Sequence, residues 1–91
     1  MAKVIWAPSA LYDIETITEY IAWDSQDQAA FFVTRLIEAV DRLREFPLSG
    51  RVIPEIGNLS CREIIFGSFW IMYKVEMEDV WITGVVHVAR D

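Results

Sequence analysis

The stretch "CREIIFGSFWIMYKVE" (residues 61–76) reads as two short apolar runs, 61–66 and 69–76, separated by Gly67-Ser68. A link that short forces two strands to turn back on each other and pair antiparallel. In the second run Phe69, Ile71, Tyr73 and Val75 fall on one face of a strand, and Ser68, Trp70, Met72 and Lys74 on the other. If the first set faces a core, Trp70 stands on the opposite face, where water or a partner meets it.

A third run, "VWITGVVHV" (80–88), follows after Met77-Glu78-Asp79 and completes an antiparallel meander. Upstream, "PLSGRVIPEIGNLS" (47–60) is punctuated by Pro, Gly and Asn and reads as a long loop. Before it, Ala29, Phe32, Leu36, Val40 and Leu43 recur at helical spacing to about Phe46, where Pro47 ends the pattern. Ser25, with Gln28 three residues on, fits a capping box for this helix, and Glu38 with Arg42 fits an i,i+4 ion pair. An earlier stripe of Ala10, Ile14, Ile17 and Ile21 predicts a helix over roughly 8–23, opened by Pro8. "KVIWA" (3–7) suits a first strand.

The order is therefore β-α-α-β-β-β: an N-terminal strand, then a helical hairpin packed on one face of an antiparallel sheet. That is an α+β fold in one domain spanning 1–91, with no repeats or low-complexity segments. The second sheet face is left open, and ligands or partners are to be sought there.

Ninety-one residues sit at the size where a single core just sustains folding, yet the composition is 54% hydrophobic with four Trp, three Tyr and five Phe. So small a core cannot hold all of it, which predicts that another chain covers part of the surface. The net charge is −6: residues 1–46 hold eight acids and four bases, residues 47–91 six acids and four bases. That balance argues against broad binding to a phosphate backbone. Cys61 is the only cysteine and His87 the only histidine, so neither an intrachain disulfide nor a Cys/His metal site is expected, and no cofactor is implied. No apolar run approaches the length of a membrane span, and the N-terminus lacks a long apolar signal segment. A cytoplasmic protein without a membrane segment is the expectation.

Phosphate-binding loops, HExxH and GxSxG are absent. Nothing in the spacing of Ser60, Ser68, His87 and Asp91 supports a catalytic triad, and a lone Cys61 at a strand start reads as a small hydrophobe. What remains polar in the C-terminal half is Arg51, Glu55, Arg62, Glu63, Lys74, His87 and Arg90. Two readings stand open. The four cations could hold a phosphodiester with His87 as acid or base. Alternatively, Arg51, Glu55, Arg62 and Glu63 pair among themselves and pin the long loop, which the alternation of acids with bases favours.

Taken together, "IWAPSALYDIETITEYIA", "AAFFVTRLIEAVDRLREFPLSGRVIPE", "REIIFGSFWIMYKVE" and "VVHVARD" resemble the RelE/ParE toxin superfamily of type II toxin–antitoxin modules, over essentially the full length. The resemblance implies the same β-α-α-β-β-β fold, and an antitoxin whose C-terminal segment wraps the toxin in a hetero-oligomer. It also implies one of two activities. ParE-like members poison DNA gyrase by binding it. RelE-like members are ribosome-dependent endoribonucleases that cut mRNA with Arg and Lys side chains and a C-terminal tyrosine.

In the family the strand motif usually reads G-S-Y-R-I-x-Y, and its arginine contacts phosphate in the nuclease branch; here that position is Trp70. Removing a charge that meets a developing phosphorane costs about 3–4 kcal/mol by analogy with oxyanion donors. Arg62 and Arg90 match basic family positions, and the C-terminal tyrosine has no counterpart. The expectation is a ParE-like, plasmid-stabilisation type toxin that binds gyrase. The alternatives are a RelE-like mRNA endoribonuclease, with Trp70 stacking on a base, or a non-toxic homologue that still binds an antitoxin. The target-binding candidates are Arg62, Trp70 and Arg90 with the final strand; the antitoxin-binding candidates are Trp70, Trp23 and Trp81, on the sheet face around Trp70 and the helical hairpin. Should the nuclease alternative hold, its candidate catalytic residues are Arg62, His87 and Arg90.

Overall fold

The computed structural model describes residues 1–89. The elements are β1 (Val4–Trp6), α1 (Pro8–Asp24), α2 (Gln26–Asp41) running into a 3-10 turn (Arg42–Arg44), β2 (Arg51–Val52), β3 (Cys61–Phe66), β4 (Phe69–Glu76) and β5 (Asp79–His87). The expected order is present, with one addition. A two-residue strand, β2, forms inside the segment read as loop and pairs antiparallel with Arg62 and Glu63 of β3.

The sheet has five strands in the order β1-β5-β4-β3-β2. From β2 to β5 all pairing is antiparallel; short turns require this for β3, β4 and β5, while β2 returns to β3 through the longer segment 53–60. β1 instead lies parallel to β5, with Val4 opposite Val80 and Trp6 opposite Ile82. No turn joins these two strands, so no local geometry sets their direction, and the sheet is mixed at this edge. The link between β4 and β5 is a two-residue turn in which Met77 and Glu78 both take positive φ (48° and 72°), the twist such hairpins need.

Both helices cover one face. Leu36, Ala39, Val40 and Leu43 of α2 and Ala10 of α1 bury against Ile71 and Tyr73 of β4 and Val80, Ile82 and Val85 of β5. The alternation expected for β4 thus sets the fold: Ile71 and Tyr73 are sealed and Trp70 lies on the opposite face.

Ser25 is the whole link between the helices. Its Oγ accepts the Gln28 N–H (3.1 Å), the first arm of the capping box. The Ser25 N–H, which the reciprocal arm would use, donates instead to the Ile21 carbonyl (3.0 Å) and closes α1. At the far end of α2 the ion pair is Arg44 with Asp41 (3.5 Å) rather than Glu38 with Arg42. The chain tightens into the 3-10 turn there, which moves residues three apart into line.

A bulge fixes α1 to the sheet. Between Met72 and Tyr73 the register slips, so that Thr83 is an extra residue on β5. Ser9 Oγ donates to the Thr83 carbonyl (2.6 Å), and the Val85 N–H donates to Asp13 Oδ2 (3.0 Å). Gly84 makes this approach possible, because a Cβ there would stand 2.8 Å from the Met72 methyl and 3.2 Å from Asp13 Oδ2. Asp13→Ala leaves the Val85 N–H without its acceptor and is expected to cost about 1–3 kcal/mol. Urea unfolding with an unchanged slope checks this.

Candidate functional site

The open sheet face and the groove beside α2 are both placed by one anchor. Tyr73, fully buried in the middle of the sheet, donates its hydroxyl to the Pro47 carbonyl (2.8 Å) and accepts from the Gly50 N–H (2.9 Å). Burial pushes its pKa above the ordinary tyrosine value, while the Gly50 hydrogen bond, the Arg62 charge and a Ser49 hydrogen bond oppose that rise. Gly50 packs so closely that a Cβ would lie 2.6 Å from the Tyr73 oxygen and 2.8 Å from the Glu63 carbonyl oxygen. Only glycine fits. Beside it Arg62 donates Nε–H to the Leu59 carbonyl (3.0 Å) and Nη1–H to the Leu48 (3.2 Å) and Gly50 (2.9 Å) carbonyls. Arg62, a candidate for target contact, therefore holds both ends of the 47–60 loop, through backbone carbonyls and not through the ion pairing the sequence suggested.

That loop delivers Arg51 to the open face, where it lies opposite Glu63. Its Nε and Nη2 donate to Glu63 Oε2 (2.9 and 2.6 Å), and its guanidinium stacks 4.4 Å from the centre of the Trp70 ring. The Glu63 side chain is 0% exposed and that of Arg51 52%, so Arg51 reaches in from solvent to neutralise a buried carboxylate. Trp70 pairs across strands with Ile65 and Val86. Trp81, part-exposed, extends the same face beside Ile5 and Lys74, and Lys74 pairs with Glu76 (3.2 Å).

His87 stands apart from these cations. It is exposed at the end of β5, meets Phe69 edge-on (ring centres 5.5 Å apart), and its Nδ1 accepts the Ala89 N–H (3.2 Å). It pairs with Phe69, whereas Arg62 pairs with Tyr73 four residues along β4, a step of about 13 Å. The structure brings Arg51, Glu63 and Trp70 together, but not Arg62 with His87. Arg90 and Asp91 lie outside the described residues. Among the described residues no group of three or more His, Cys, Asp and Glu could hold a metal, and no helix is long and apolar enough to cross a membrane.

A groove runs along the outer side of α2. Its floor is aromatic, with Phe32 set against Phe66 (5.7 Å) and Phe69 (5.5 Å). Arg35, stacked 4.9 Å over Phe31, and Arg42 stand along it, and it continues past Phe46 to the edge of β3, Arg51 and Trp70. Because β2 covers only Arg62 and Glu63, no strand among the described residues pairs with the outer edge of β3 from Ile64 onward.

With this geometry in place, residues 4–91 match the family described as "ParE toxin of type II toxin-antitoxin system, parDE". The chain belongs to the ParE toxin family. Among relatives of this ParE-family chain, "Putative toxin Y4kP" of Sinorhizobium fredii is 36% identical over 97% of this chain and 90% of its own. "Toxin RelE2" of Caulobacter vibrioides is 34% identical over 99% of both. The fold matches a chain from the structure titled "Chromosomal ParDE TA system from P. aeruginosa", with a TM-score of 0.78 over 96% of each chain at 19% identity. The type II toxin–antitoxin class, the family and the fold thus agree with the resemblance read from the sequence.

For a ParE-family toxin, what sequence reasoning missed is where Arg51 goes. The residue that replaces the motif's arginine, Trp70, has an arginine lying on its ring. The signal was thin: a short strand inside a Pro/Gly-rich loop leaves almost no periodicity. The groove's aromatic floor was not legible either, because only the fold sets Phe32 of α2 against Phe66 and Phe69.

Arg51→Ala removes the ion pair to the buried Glu63 carboxylate and is expected to cost about 2–3 kcal/mol, below the value for a fully buried pair because half of Arg51 is in water. A double variant, Arg51→Met with Glu63→Leu, recovers most of the loss in thermal unfolding. Tyr73→Phe is expected to cost about 1–3 kcal/mol by leaving the Gly50 N–H and Pro47 carbonyl unpaired. Because the folded pKa of Tyr73 is raised, its contribution is complete below the unfolded tyrosine value near 10 and fades as pH rises through the folded value. The variant therefore loses less stability than the parent between neutral and strongly alkaline pH.

Proposed function

We propose that this ParE-family toxin acts by binding a protein target, DNA gyrase being the one the resemblance implies, and that its cognate antitoxin silences it by occupying the groove beside α2. The observation that carries the reading is the dispersal of the candidate cations among the described residues. Arg62 is spent on loop carbonyls, Arg51 on Glu63 and Lys74 on Glu76, with His87 a further stretch along the sheet. Stabilising a transferring phosphoryl group needs donors converging on one point, and the net charge of −6 opposes RNA.

The groove suits an extended antitoxin segment with apolar side chains for the Phe32–Phe66–Phe69 floor and carboxylates for Arg35 and Arg42. Trp70 and Trp81 on the open face offer further contact to the same wrapping chain. A second reading, ribosome-dependent mRNA cleavage, draws on the Caulobacter relative's printed name, "Toxin RelE2", and on Arg51, which returns a cation to position 70.

Purified protein is expected to inhibit gyrase supercoiling and to leave ribosome-bound mRNA intact. Cleavage of that mRNA without gyrase inhibition would sink the proposal in favour of the second reading, and unimpaired growth on induction without antitoxin would sink both. Phe31→Ser combined with Arg42→Glu is expected to weaken antitoxin binding at least tenfold by calorimetry. Unchanged affinity would remove the groove from the interface.

A further inference from the structure

The outward side of α1 lies apart from both the groove and the open sheet face, and it carries Trp23, which the sequence offered as an antitoxin contact but which does not line the groove. Tyr12, Tyr20 and Trp23 are 70, 78 and 88% exposed. At 100° per residue they fall within a sector of about 80°, along about 16 Å of helix. Nothing in the core explains them, since α1 packs inward through Ala10, Ile14 and Ile17. Three aromatics bury about 150–250 Å² each when covered, so together they form a patch that soluble proteins seldom leave bare.

The same helix carries acids and no base. Glu15, Glu19 and Asp24 are exposed around the aromatics, and Pro8–Asp24 contains no Lys, Arg or His. We infer that this aromatic and acidic stripe is the docking surface for the toxin's target, and that it takes an arginine- and lysine-bearing protein surface. Guanidinium and ammonium groups stack on Tyr and Trp faces and pair with flanking carboxylates, and Tyr, Trp and Arg are the residues that dominate interface energies.

Charge excludes the other occupants. A second copy would set the acids of one stripe against those of the other. Phosphate backbones and anionic membranes call for basic helices instead. The antitoxin groove takes only Ile21 from α1, so the stripe stays available beside it. The inference rests on the protein-target reading proposed above.

Two variants test it, Y12Q/Y20Q/W23Q and E15K/E19K/D24K. Both change exposed positions to good helix formers, and urea unfolding confirms that each is folded. Against purified gyrase, each is expected to raise the concentration needed to inhibit supercoiling at least tenfold, and to relieve growth arrest in cells, with affinity for the cognate antitoxin unchanged within twofold. Inhibition and arrest at the parent's level in the aromatic variant overturn the stripe while the protein-target reading stands. Loss of antitoxin binding alongside activity also overturns it, by giving the stripe to the antitoxin. A parent protein that neither inhibits gyrase nor arrests growth overturns both. If the parent arrests growth without touching gyrase, the gyrase reading alone falls, and retained arrest in the aromatic variant is what then sinks the stripe.

Discussion

Tyr73 carries one hydroxyl into the middle of the sheet and uses it twice, accepting from the Gly50 N–H and donating to the Pro47 carbonyl. Both partners belong to the segment that leaves α2, which has little regular structure of its own before β2. Once that segment is held at Gly50, Arg51 has no choice of side: it enters the sheet opposite Glu63 and lands on Trp70. Arg62 closes the arrangement from the other flank by gripping Leu48, Gly50 and Leu59. A burial of about one polar atom therefore determines which side chains the open face presents. Alanine in place of Gly50 would collide with both the phenol and the backbone, so the anchor tolerates little change at its centre.

The two sides of the molecule are consequently of different character. Beneath the helices the sheet is sealed by aliphatic residues, and the partner-facing aromatics of that side lie on the outer surfaces of the helices themselves. The open side mixes part-exposed tryptophans with a carboxylate whose charge is masked by an arginine. Around the rim run the aromatic-floored groove and the bare edge of β3, both suited to another chain. An excess of hydrophobic residues for a domain of this size is thereby accounted for by several separate surfaces, not by an oversized core.

Local pattern carried much of this in the sequence. The alternation in 69–76 placed Ile71 and Tyr73 inside and Trp70 opposite them, and Ser25 marked the junction of the helices to the residue. Features that depend on distant chain were not legible. The direction of β1 depends on β5, the bulge at Thr83 on Ser9 and Asp13, and the covering of Trp70 on an arginine from a loop. The candidate site suffered most, because its residues are read one by one from sequence but act through contacts across the sheet. Arg62 and His87 look like members of one constellation on paper, and β4 holds them several residues apart.

The parallel pairing of β1 with β5 joins two strands far apart in sequence. Ser9 and Thr83, 74 residues apart, seal the seat of α1. Hairpins form from neighbours and are quick, whereas such end-to-end contacts must wait for loop closure. On a ribosome delivering about 5–20 residues per second, the helical hairpin and the β3–β4 turn can form before β5 does, but Ser9 and Asp13 of α1 then lack the strand they bond to. The outward stripe of α1 thus takes its final orientation only once β5 is in place. The surface proposed to meet the target depends on the most distant contacts of the fold, and the local hairpins do not.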